Sequence, residues 1–65
     1  MNEWISTIKS LPIPRAVVRI KYVTKSGRIY ETDAWYDGQG IFNFVGSMRF
    51  ERLGNVTHWK PIDIN

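Results

Sequence analysis

The sequence predicts a small, mainly β domain, and three observations carry that expectation. Apolar and charged residues alternate over residues 16–24 and broadly again over 28–36, glycines at 27, 38 and 40 punctuate the chain, and aromatic residues make up 14% of a 65-residue chain that has no cysteine. The expected architecture is a small antiparallel meander or an SH3-like, partly open barrel of four to five strands, to which a short N-terminal helix can be added. A chain of this length buries only about 60% of the surface its unfolded form exposes, so residues 1–65 form one domain with one core. Without Cys there is neither a disulfide framework nor a thiolate metal site, and a lone histidine cannot supply a multi-histidine one. Aromatic side chains, which bury the most area each, must build the core.

Trp4, Ile5, Ile8 and Leu11 fall on one face of a helix over residues 2–11, with Asn2 as its cap. The segment is short and rich in β-branched residues, so docking rather than propensity would have to hold it. Pro12 and Pro14 end it and set an extended path. Residues 16–24 then read as a half-buried strand, with 16, 18, 20 and 22 inward and Arg19 and Lys21 outward.

The second strand spans residues 28–36, and register follows from which pairings keep carboxylates off the apolar face. A two-residue turn at Ser26-Gly27 would pair Ile20 with Asp33. A three-residue loop with Gly27 left-handed pairs Tyr22 with Tyr30 and Ile20 with Thr32 inside, and Lys21 with Glu31 and Arg19 with Asp33 outside. By the same argument, a loop at 38–40 with Gly40 left-handed pairs Tyr36 with Phe42 and Ala34 with Phe44. The third strand covers residues 41–45. Residues 48–53 fit either a short strand or a helical turn, and 56–60 form a last strand closed by Pro61, followed by a tail that frays unless it docks.

Nine Lys/Arg against six Asp/Glu leave a net charge of +3, mildly basic but without the concentrated stripe of a dedicated nucleic-acid binder. Glu3 and Trp4 stand where a secretory signal would carry basic residues and a long apolar run, and no stretch approaches a membrane span, so a cytoplasmic location is expected. No enzymatic activity is expected. His58 is the only acid–base candidate near neutral pH, and beside Trp59 it reads as a structural side chain. Glu31, Asp33 and Asp37 share one side of the second strand, but Arg19 and Lys21 compete for the first two, so no metal is expected. The Gly38-x-Gly40 loop opens a strand rather than a helix and lacks the geometry of a phosphate loop. No cofactor is implied.

Three Trp and three Tyr exceed what so small a core hides easily, and strand parity points Trp35 away from Tyr30 and Tyr36. Arg19 and Lys21 share that outer side, and Arg49 and Arg52 flanking Phe50 form a second basic–aromatic cluster, both made of residue types enriched at interface hot spots. The candidate partner-binding residues are therefore Arg19, Lys21, Trp35, Arg49, Phe50 and Arg52. Homodimer formation through an edge strand, either the first strand or residues 56–60, is a second route to association.

Trp4-Ile5-Ser6, Leu11-Pro12, Tyr36-Asp37-Gly38 and the ending Val56-Thr57-His58-Trp59 with Pro61 resemble, in order and spacing, a family of short bacteriophage and prophage proteins, domain of unknown function 551. Ile13-Pro14 stands where that family has an acidic residue, and Ile62 to Asn65 replaces its proline-rich acidic tail. The resemblance implies a phage accessory protein in the bacterial host cytoplasm, and it transfers no catalytic residue. The expected function is binding to a host protein to modulate or inhibit it. The alternative is a nucleic-acid-binding β-barrel that uses Arg19, Lys21, Lys25 and Trp35.

Overall fold

The computed structural model describes residues 3–62 and contains six strands: β1 (Ile5–Ser6), β2 (Val17–Val23), β3 (Ile29–Tyr36), β4 (Ile41–Phe44), β5 (Phe50–Arg52) and β6 (Val56–Pro61). They form one open antiparallel sheet in the order β1-β6-β2-β3-β4-β5. β2 to β5 make a meander, a 3₁₀ turn at Leu53–Asn55 reverses the chain, and β6 returns to pair with β2. The fold class is thus the expected one, with a strand count of six rather than four to five.

Both predicted registers are present. Tyr22 faces Tyr30, Ile20 faces Thr32, Lys21 faces Glu31 and Arg19 faces Asp33. Tyr36 faces Phe42 and Ala34 faces Phe44. Gly27 and Gly40 have φ of 85° and 104°, the left-handed backbone that the bulged hairpins need and that a Cβ disfavours. The Asp37 carboxylate fixes the second loop by accepting the N–H groups of Gln39 (2.7 Å) and Ile41 (3.1 Å).

Period-two geometry then sorts the side chains. Val18, Ile20, Tyr22, Ala34, Tyr36, Phe42, Phe44 and Val56 form the buried core on one face, and Leu53 and Trp59 pack against it. Phe42, Ile20 and Val56 are fully buried, each contributing on the order of 1.5–3 kcal/mol. The rings meet in tilted pairs, Tyr22 with Phe44 at 5.1 Å and Tyr36 with Phe42 at 4.8 Å. Tyr30 sits at the open end of this face and remains 45% exposed, so it rims the core instead of joining it.

Four expectations change. The N-terminal helix is absent: Ile5 and Ser6 pair with Trp59 and His58, and only one turn follows, in which Ser10 N–H bonds to Ser6 O. Thr7 fixes that path by giving its N–H to Thr57 O (3.0 Å) and its hydroxyl to Val56 O (2.8 Å). Ile8, assigned to the buried helix face, is 95% exposed, and the Asn2 cap lies outside the described residues. Residues 48–53 are mainly the short strand of the two readings: β5 takes 50–52, and only Leu53 enters the 3₁₀ turn. Ala16 lies ahead of β2 and is exposed, because a turn in which its N–H bonds to Ile13 O precedes the strand. Finally, neither strand named as a free edge is one. β2 lies between β6 and β3, and β6 between β1 and β2. The last three residues, expected to fray, also lie outside the described residues.

Candidate functional site

The face opposite the core is built in rows, because directly paired residues project to the same side. One row crosses four strands as Val17, Trp35, Asn43 and Phe50. Val17 and Phe50 are 46% and 53% exposed, while Trp35, expected to be the exposed ring, is half-buried within the row. On one side of the row lie Lys60, Arg19 and Asp33. On the other, Arg52 pairs with Ile41, and Arg15 and Asp37 line with Trp35 an open depression of ≈ 450 Å³.

Five of the six candidate residues, Arg19, Lys21, Trp35, Phe50 and Arg52, therefore share the outer face. Arg49 does not, since its guanidinium lies 5.6 Å from the centroid of Phe44, a core ring on the opposite face. Residue 49 precedes β5, so strand parity does not govern it. Arg19 and Lys21, expected on the outer face of the first strand, lie within β2, while Arg15 and Lys25 fall outside it.

The charge ladder is partly rewired. Arg19 donates to Asp33 at 2.8 Å and approaches Glu31 at 3.8 Å, so one guanidinium holds both carboxylates. Lys21, in register with Glu31, turns instead to Trp4, its ammonium 4.5 Å from the ring centroid, and Lys60 reaches the same ring at 4.6 Å. Neither ammonium has a carboxylate within 4.0 Å among the described residues. Trp4, assigned to a helix by spacing, is thus the aromatic residue that organises the basic part of this face. Its position next to Ile5, which pairs with Trp59, puts it there. The only sequence signal for it is the aromatic residue itself.

The chemistry-bearing residues have local partners. Glu31 and Asp33 belong to Arg19, and Asp37 belongs to its own turn. Among the described residues no group of three His, Asp or Glu side chains converges as a metal site. His58 Nδ1 is 3.0 Å from Thr57 Oγ1, and the ring lines an open groove of ≈ 410 Å³ with Ser6, Thr7 and Leu53. No carboxylate orients that ring among the described residues, so the base–orienter geometry of nucleophilic catalysis is not assembled there. No helix of the described residues is long and apolar enough to cross a membrane.

Comparison with known protein families, curated proteins and solved structures returns no match to this chain.

Proposed function

We propose that this chain is a non-catalytic binding module that holds a host bacterial protein through its outer sheet face and alters that protein's activity. In this reading it is a phage-encoded accessory protein of the host cytoplasm, the origin that the family resemblance implies. The observation that carries the binding role is the uncovered row Val17, Trp35 and Phe50, flanked by Arg15 and Arg52 and opening onto the ≈ 450 Å³ depression. Apolar side chains lined up on the solvent face of a sheet cost solubility and add only the small stability of cross-strand pairs, so their main use lies in association. Trp and Arg are the residues from which interface hot spots are most often made. Trp35, half-buried and flanked by its row neighbours, is already partly immobilised and loses little entropy on binding.

The test is capture of a partner from bacterial lysate with wild-type protein, Trp35→Ala and Phe50→Ala, each with and without nuclease. A protein that survives nuclease, is retained by wild type and is lost with both folded variants supports the reading. Retention by both variants overturns it.

A second reading is favoured by one observation, the two ammoniums around Trp4 that pair with no carboxylate among the described residues. A ring beside uncompensated lysines is how small β-domains hold single-stranded nucleic acid, with stacking on the ring and phosphate at the cations. The original candidate set changes accordingly, since Arg19 is neutralised by Asp33 and Lys60 takes its place. Binding of this kind weakens steeply with salt and falls in the double variant Lys21→Ala/Lys60→Ala. Absence of oligonucleotide binding at low salt removes it.

A further inference from the structure

β3 pairs with β2 over residues 29–35, but on its other side β4 covers only residues 34–36. The Val45 N–H bonds to Asp33 O at 3.0 Å and closes that ladder. In an antiparallel sheet, successive residues direct their peptide groups alternately at opposite neighbours. Thr24 N–H bonds to Arg28 O, so the even-numbered residues from 28 onward serve β2, and the Val45 bond shows that the odd-numbered ones serve the far side. Ile29 and Glu31 therefore present both their N–H and their C=O groups to a side where no strand pairs with them among the described residues.

The two terminal edges of the sheet are blunted, β1 by having two residues and β5 by having three, of which Glu51 and Arg52 are charged. The free half of β3 is different: Ile29 is 65% exposed and Tyr30 45% exposed, in backbone that β2 already holds extended. That is the kind of edge that recruits another strand.

We propose that two copies of this chain pair antiparallel through residues 29–31 of β3, about a two-fold axis at Tyr30. Odd residues must face odd residues for the free groups to bond. A two-fold centred on Glu31 would place two carboxylates directly opposite, which is repulsive. Centred on Tyr30, the register sets Ile29 across from Glu31 of the second copy and satisfies both sets of free groups. The two Tyr30 rings then lie side by side and extend across the axis the row in which Tyr30 meets Tyr22 (5.9 Å) and Tyr22 meets Phe44 (5.1 Å). The paired stretch is far smaller than a permanent interface, so the dimer forms with rising concentration.

Sedimentation from micromolar to millimolar protein reads this directly. Wild type shifts from monomer to dimer, whereas Glu31→Pro stays monomeric with an unchanged circular dichroism spectrum, because that N–H serves no bond to β2. A monomeric wild type at millimolar concentration overturns the proposal, as does a folded Glu31→Pro that dimerises like wild type. Should Glu31→Pro fail to fold, single cysteines decide in a chain that has none. Side chains facing across the axis are near disulfide distance, so under mild oxidation Tyr30→Cys cross-links at least about ten-fold faster than Thr32→Cys. Equal rates rule the register out. Trp35→Ala leaves dimerisation intact, which separates this edge from the proposed partner face.

Discussion

The two faces of the sheet are built from the same strands by the same alternation, yet they have different physical jobs. The inner face joins Ile20, Phe42 and Val56 into a core without solvent. The outer face holds one apolar row between charged ones, with its ion pair and cation–π contacts in water. Interactions inside are strong because burial removes apolar surface from water, and interactions outside are weak because water and salt screen them. The inner face therefore sets whether the chain folds, and the outer face is free of that constraint.

Substitutions should reproduce that contrast. Phe42→Ala empties a fully buried site and is expected to cost about 3–5 kcal/mol in urea denaturation, enough to unfold much of a domain this small. A loss of less than a third of that would mean the core is not centred on Phe42. Next come the turns that set the register. At Gly40 an added Cβ meets no neighbour but the backbone has φ of 104°, so Gly40→Ala should cost about 1–2 kcal/mol. Gly54 has equally open space without a left-handed backbone, and Gly54→Ala should leave the midpoint unchanged or raised. Equal losses at the two glycines would show that space rather than backbone conformation governs these sites.

On the outer face, Trp4→Leu removes the ring shared by Lys21 and Lys60 and should cost at most about 1 kcal/mol. The smallest effect is expected for Asp33→Asn, about 0–1 kcal/mol, and it should vanish in molar salt because the Arg19–Asp33 pair is nearly half exposed. If either outer-face change rivals Phe42→Ala, the division of labour between the faces is wrong.

The registers were legible because a one-residue slip moves every side chain to the wrong face, and Asp33 and Glu31 each penalise that slip. On the outer face Arg19, Lys21 and Trp35 were legible for the same reason, because they follow the parity of the first two strands, whereas Phe50 and Arg52 join them only because residues 50–52 form β5. Arg49 lies outside a strand, where parity says nothing. The N-terminal segment misread for a different reason. Its apolar spacing fits a helical face, but Ile5 gains more by pairing with Trp59, and Thr7 more by bonding to residues 56 and 57, contacts some 50 residues away in sequence.

The sequence by itself determined the fold class, the pairings of the two hairpins and the division into an apolar and a charged face, because each follows from alternation and turn chemistry within about twenty residues. Only the tertiary structure decided which strands lie inside the sheet, that Arg19 holds two carboxylates while Lys21 turns to Trp4, and that half of β3 is left without a second neighbouring strand among the described residues. Those outcomes depend on the relative lengths of strands brought together from distant parts of the chain. β4 reaches only the last three residues of β3, and the free edge follows from that mismatch.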